Sequence, residues 1–150
     1  MAHTYTCLYY HIVFGTKHRQ PYLSDLVQRD LWPYLGGIAR ENDMIPLAIG
    51  GYTEHAHLLL RAKPTLSVSR MLQVLKGGSS WWIHQTFPLL SAFAWQDGYG
   101  AFTVGEADVE AVQRYIDNQR EHHRWRTFQE EYLKFLQIHN VAYDPRYVWD

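Results

Sequence analysis

Hydrophobic positions along the chain switch between two periods. Tyr5, Tyr9, Tyr10, Ile12, Val13 and Phe14 predict a first strand from Tyr5 to Phe14, ended by Gly15. Val27, Leu31, Leu35 and Ile38 then recur at helical spacing behind Ser24, a fitting N-cap, and predict a helix to about Glu41. Pro33 inside it predicts a kink or a division in two. Ile45 to Gly51 and His55 to Ala62 read as the second and third strands, most simply a hairpin with Thr53-Glu54 as a tight connection or bulge. After Pro64, Thr65 or Ser67 can cap a second helix, whose buried face is Val68, Met71, Leu72 and Leu75. Lys76-Gly77-Gly78-Ser79-Ser80 is expected to interrupt it. Ala92 to Trp95 and Tyr99 to Val104 predict a fourth, interrupted strand with Asp97-Gly98 as its turn or bulge. Glu106 to about Arg124 predicts one helix, with Glu106, Asp108 and Glu110 near its start and Arg120 and Arg124 near its end, as the helix dipole favours. Phe128 to about His139 predicts a last amphipathic helix, and the aromatic tail from Tyr143 to Asp150 is expected to pack on the body.

The order βαββαβ followed by two helices describes one domain over 1–150. Its class is α+β: a ferredoxin-like (RRM-like) antiparallel sheet with helices packed on it, plus C-terminal helices.

Composition narrows the chemistry. An apolar fraction of 47% suits a packed core, and one cysteine, Cys7, excludes both an intrachain disulfide and a cysteine zinc cluster. Any metal must therefore be held by histidine, carboxylate or amide. The N-terminus lacks the cationic and apolar segments of a signal peptide, and no apolar run approaches the ~20 residues that span a bilayer. A cytoplasmic location with no membrane partner is expected. Lys76-Gly77-Gly78-Ser79-Ser80 lacks the spacing of a phosphate-binding P-loop, so no nucleotide cofactor is expected. A net charge of −1 argues weakly against nucleic acid, yet local patches decide binding. Basic residues cluster at Lys17-His18-Arg19, at Arg61 and Lys63, and at Arg120, Arg124 and Arg126. With 11 Tyr and 6 Trp, aromatic faces beside such cations can stack bases and contact phosphates, although most of these rings are expected in the core.

The chemistry concentrates in Gly51-Tyr52-Thr53-Glu54-His55-Ala56-His57-Leu58-Leu59-Leu60. On a strand, His55, His57 and Leu59 share one face, and two adjacent imidazoles can hold one metal ion. Nine histidines make a chance H-x-H plausible, so the pair needs a third ligand and a nucleophile. Downstream, Tyr115 and Gln119 stand at i, i+4 beside the core positions Val109, Val112 and Ile116. A phenol can attack and an amide oxygen can ligate, although tyrosine and glutamine four apart carry little weight alone.

Taken in order, these stretches resemble the single-tyrosine HUH transposases of the IS200/IS605 class. Tyr10-His11-Ile12-Val13-Phe14-Gly15-Thr16-Lys17, Leu75-Lys76-Gly77-Gly78-Ser79-Ser80, Trp95 to Val104 and Tyr115-Ile116-Asp117-Asn118-Gln119 carry the resemblance with the histidine strand. The resemblance implies an enzyme that cuts and rejoins single-stranded DNA at element ends bearing hairpins, as a homodimer. It implies that His55 and His57 bind a divalent ion, Mg²⁺ or Mn²⁺, with Gln119 as third ligand. Tyr115 would be the nucleophile and would form a 5′-phosphotyrosine, serving the histidine pair of either its own or the partner subunit. Lys17, Arg19, Lys76, Arg120 and Arg124 are the candidate DNA contacts. Relatives often carry a bulkier residue at Ala56 and Asp at Glu54. A relative that binds hairpins without moving, or a non-catalytic single-stranded nucleic-acid-binding domain, is the alternative. A triple-histidine hydrolase is excluded because Leu59 occupies the third position.

Overall fold

The computed structural model describes residues 3–124 and 126–149. Met1 and Ala2 of the N-terminal segment, Trp125, and Asp150 of the tail lie outside the described residues. The sheet contains β1 (Tyr9–Gly15), β2 (Met44–Tyr52), β3 (His55–Ala62) and β4 (Gly100–Val104). Its four strands run in the order β2-β3-β1-β4, and every pairing is antiparallel. This is the predicted ferredoxin-like sheet.

Strand alternation divides the side chains between two cores. Ile12, Phe14, Ala56, Leu58 and Leu60 face α1 (Asp25–Glu41) and α2 (Val68–Thr86). Tyr9, Val13, Leu59 and Phe102 face the other way, against α3 (Val109–Asp117), α4 (Gln119–His122) and α5 (Phe128–Ile138). Val13 pairs with His57 and His11 with Leu59, so the histidines lie on this second face. The register is fixed because a one-residue slip would exchange the two cores.

Several expectations change for physical reasons. The first strand begins at Tyr9 rather than Tyr5: its paired register ends at Tyr9↔Arg61 and Tyr9↔Val104, Leu8 O accepts one further bond from Ala62 N at 3.1 Å, and Tyr5 is 90% exposed. Helix α1 is continuous through Pro33, which is exposed, so the carbonyl it leaves unpaired can be hydrated. Helix α2 passes through Gly77-Gly78. A Cβ on Gly78 would lie 3.0 Å from Ile38 Cδ1, so glycine permits the α1–α2 contact. Ser79 Oγ donates to Leu75 O at 2.6 Å and accepts from Trp95 Nε1 at 2.9 Å. Residues 92–95 do not extend β4; Trp95 forms an isolated bridge with Thr16, just past β1, and meets the Phe14 ring edge to face at 4.7 Å. The predicted helix from Glu106 is divided into a 3₁₀ turn (Glu106–Asp108), α3 and α4, with Asn118 out of helical geometry between the last two. The tail packs as expected: Val148 and Trp149 join the second core, and Arg19 lies over the Trp149 ring.

Gly50 fixes how closely α3 approaches the sheet. A Cβ there would lie 2.9 Å from the Ile116 carbonyl oxygen, which belongs to the helix backbone. Gly50→Ala should therefore cost about 1–3 kcal/mol of stability, as overpacking does. Gly37→Ala, in α1 with nothing within 4 Å of the new methyl, should be neutral or stabilising. Urea midpoints of the two variants test this; equal midpoints would remove the claim that Gly50 sets the approach.

Candidate active site

The site grows from β3. Its HAHLLL run places His55 and His57 under the C-terminal helices, both fully buried, with ring centroids 5.0 Å apart. On the neighbouring strand, His11 Nε2 lies 2.8 Å from His57 Nδ1 and is itself buried. Tyr115 comes from the last turn of α3 and Gln119 from the first residue of α4. The break at Asn118 keeps them adjacent: Gln119 Nε2 donates to the Tyr115 carbonyl at 3.3 Å. That bond aims the amide oxygen at His55 Nε2, 2.9 Å away. The Tyr115 and His57 rings meet edge to face at 5.8 Å. One chain thus brings together His55, His57, Tyr115 and Gln119.

Sequence reasoning missed Glu131. It lies on α5, 2% exposed, and its Oε1 is 2.8 Å from His57 Nε2 and 3.6 Å from His55 Nε2. Its Oε2 accepts the Tyr115 hydroxyl and lies 3.0 Å from His122 Nε2 and 3.5 Å from His123 Nε2. The signal was present. Phe128, Tyr132 and Leu136 form the buried stripe of α5, and Glu131 falls inside it at i+3 from Phe128. A carboxylate at a core position needs partners. Thr127 starts this helix by accepting from Glu130 N at 3.2 Å.

The hydrogen-bond roles suit a cation. Glu54 Oε1 lies 2.6 Å from His55 Nδ1, so a neutral His55 donates there and keeps a lone pair on Nε2. That lone pair faces the Gln119 oxygen, another acceptor. Two acceptors aimed at each other repel unless a proton or a metal lies between them. His57 Nε2 and Glu131 Oε1 complete a cluster whose His55, His57 and Glu131 atoms lie within 4.8 Å of one another. Ligands bonded at ~2.0–2.2 Å stand roughly 2.8–3.6 Å apart around one ion, from octahedral to tetrahedral geometry. The 2.8, 2.9 and 3.6 Å separations match such edges. His122, His123 and Glu131 form a second group of the same kind around the other carboxylate oxygen.

The electrostatics agree. Burial opposes charge on Glu131, but hydrogen bonds from His123 and His57 hold its carboxyl well below the usual range. Burial brings His57 down to about 4 despite Glu131, leaving the neutral imidazole a metal requires. Burial also lowers His11 and His122. On His123 burial acts downward, yet its hydrogen bond to Glu131 raises it above the ordinary value. Burial, then the Glu131 charge, raises Tyr115, so the phenol is protonated at neutral pH.

The shift on His57 predicts a pH dependence. An unfolded histidine titrates near ~6.5. Between that pH and about 4 the unfolded chain binds a proton that folded His57 refuses. Stability is therefore full above this window and is lost as pH falls through it. Urea denaturation in EDTA should show a loss on the order of 2 kcal/mol from His57 between pH 7 and pH 5. His57→Gln should flatten this dependence, and an equally steep profile in that variant would remove the assignment.

The predicted DNA contacts have partners within the chain. Lys17 Nζ is 3.4 Å from Asp97, Arg120 pairs with Asp25, and Arg124 is 3.0 Å from Glu121. Lys76 Nζ donates to the carbonyls of Gln96, Asp97 and Gly98 at 2.5, 3.1 and 3.0 Å, which occupies the donors of its ammonium. Among the described residues no helix is long and apolar enough to cross a membrane.

Solved structures match this fold. A transposase structure from Deinococcus radiodurans R1 superposes with a TM-score of 0.66 at 31% identity, covering 79% of this chain and 96% of that one. A REP-associated tyrosine transposase bound to a REP hairpin gives 0.61 over 84% of this chain and 74% of that one. At 14% identity this second likeness is one of fold. The fold and the first of these likenesses define a transposase. Residues 4–119 match the family of IS200-like transposases. The transposase for insertion sequence element IS200 of Salmonella typhimurium is 31% identical over 126 residues, covering 81% of this chain and 82% of that protein. The ISDra2 transposase TnpA of D. radiodurans is 29% identical over 119 residues, covering 76% of this chain and 85% of that protein. The chain belongs to the IS200-like transposase family. The family match ends before His122, His123 and Glu131.

Proposed function

We propose that this protein cuts and rejoins single-stranded DNA at hairpin-bearing ends, with Tyr115 as nucleophile and a divalent ion, Mg²⁺ or Mn²⁺, at His55, His57 and Gln119. The observation that carries the reading is the meeting of a phenol, two imidazoles and an amide oxygen aimed at one of them in one buried cluster. Glu131 adds an anionic oxygen ligand to the set. Oxygen donors favour Mg²⁺ and Mn²⁺, and the imidazoles favour Mn²⁺ of the two. When bound, the ion supplies positive charge for the phosphoryl oxygens of the transition state.

The chain's own groups do the rest. Tyr115 Oη attacks phosphorus in line with the O3′ of the scissile bond. The new P–O bond to tyrosine forms as the P–O3′ bond breaks. The phenol proton leaves along its hydrogen bond to Glu131 Oε2 and O3′ takes a proton from solvent water, so a free 3′-hydroxyl and a 5′-phosphotyrosine result. Attack by another 3′-hydroxyl reverses the step and releases Tyr115, without ATP because the phosphoester bond is conserved. His11, at 2.8 Å from His57 Nδ1, holds that imidazole in place. Gln119, anchored on the Tyr115 carbonyl, ties nucleophile and ligand to one turn.

The test uses labelled single-stranded DNA carrying candidate ends and denaturing electrophoresis. The parent protein should form a covalent adduct that EDTA prevents. Tyr115→Phe should lose the adduct and keep DNA binding. His55→Ala and His57→Ala should each lose cleavage by about 100-fold or more, as loss of metal charge stabilisation implies. Hairpin binding with no adduct under any metal condition would leave the binding-only reading instead, and an adduct in Tyr115→Phe would move the nucleophile elsewhere.

We also infer a homodimer from the family resemblance, with each copy able to use its own tyrosine. Light scattering should give twice the chain mass. Proven heterodimers of Tyr115→Phe with His57→Ala distinguish the arrangements. Use of each chain's own site leaves them inactive, whereas exchange of the α3–α4 segment restores one complete site. Restored cleavage would overturn own-chain use, and a monomer would overturn the dimer.

A further inference from the structure

A cavity of about 290 Å³ opens between α3 and α5, and the reaction as derived leaves it unused. Its walls are apolar: Ala111 and Val112 on one side, Phe135 and Ile138 on the other. Tyr115 and Glu131 line the end nearest the metal cluster, with His11 of β1 beside them. Ile138 is 62% exposed, an uncovered apolar side chain at the cavity.

Three observations identify the occupant. The first is position. A phosphorus bonded to Tyr115 Oη carries its own nucleoside, and that nucleoside must leave the site along a surface touching Tyr115. The second is size. About 290 Å³ lies at the lower end of the ~300–1,000 Å³ range of small-ligand sites, room for one unstacked base and not for a base pair. The third is charge. Arg126 and Lys134 also line the cavity and are exposed, and neither side chain is held by an ion pair or a hydrogen bond within the described chain. They differ in this from Lys17, Arg120 and Arg124, which are paired. Free cations beside an apolar slot match a nucleotide, with phosphate on the rim and base inside. Asp108 also lines the cavity and can accept from an amino group of a base.

We propose that the α3–α5 cavity is a nucleobase subsite, which takes the unstacked base of the nucleotide that becomes joined to Tyr115. This deepens the strand-transfer reading and rests on it. Apolar walls and one acceptor recognise a base by burial and stacking more than by its pairing edge. A single strand makes extrusion cheap, because no base pair has to open.

The experiment separates base insertion from DNA binding. Methyl NMR of Val112 and Ile138 would be followed while Tyr115→Phe protein in EDTA is titrated with short oligothymidylate, and overall affinity would be read by fluorescence anisotropy. The expected result is a shift of both methyl groups. An oligonucleotide of the same length made only of abasic sugars should bind about fivefold more weakly or worse and leave both methyls in place. Val112→Phe should narrow the slot and reduce the preference for base-bearing DNA. Ile138→Trp, altered at an exposed position, should do the same and keeps the test valid if Val112→Phe does not fold. DNA that binds without moving either methyl, or abasic DNA that moves them equally, would overturn the subsite while leaving strand transfer intact. No anisotropy change with any single-stranded DNA would overturn both.

Discussion

The Glu131 carboxylate is buried against the sheet, and a charge removed from water must be met by donors on every side. Here the donors come from separate elements: His57 from β3, Tyr115 from α3, His122 and His123 from α4 and the turn after it. The second face of the sheet thus has a polar centre ringed by apolar contacts. Phe128, Tyr132 and Leu136 dock α5 by burial, and Glu131 fixes which groups it meets when docked. Removing the carboxylate would release the imidazoles and the phenol together, whereas loss of an apolar neighbour would leave mainly a cavity.

The sheet supplies what the helices cannot. Strand alternation and pairing with β1 and β2 fix the His55 and His57 backbones on both sides, so the imidazoles cannot spread apart. Their outward partners, Glu54 and His11, hold the rings from behind. With His55 Nδ1–H donated to Glu54, the Nε2 lone pair meets the Gln119 oxygen, an arrangement that a cation between them relieves and an ordinary core would penalise. Gly50 places the end of α3 near enough for Tyr115 to share that cluster.

Charge is distributed unevenly for a chain with a net charge of −1. Lys17, Arg120 and Arg124 are partly neutralised by acidic neighbours, and Lys76 is turned into a cap on the 96–98 carbonyls. Exposed ion pairs contribute little stability and can open to a phosphate. Among the described residues Arg126 and Lys134 have no such partner, and they line the cavity beside Tyr115. Arg126 belongs to a basic cluster visible in the sequence, whereas Lys134 stands apart from all of them and joins it only through the docking of α5.

The sequence alone determined the fold class, the strand face shared by His55 and His57, and the adjacency of Tyr115 to Gln119. Each follows from short-range periodicity: two residues along a strand, four along a helix. Local punctuation misled where packing overrode it. Gly77-Gly78 reads as a break, yet the helix runs through it and Gly78 meets Ile38 of α1; Pro33 reads as a kink and sits exposed in a continuous helix; and the helix after Gly105 reads as continuous and is broken at Asn118. Only the tertiary structure brought Glu131 beside residues 74 and 16 positions away in the chain and left Arg126 and Lys134 around a cavity. Periodicity says that a side chain faces a core. Which charged groups meet there depends on how helices from distant parts of the chain dock, and docking is settled by the summed burial of many contacts.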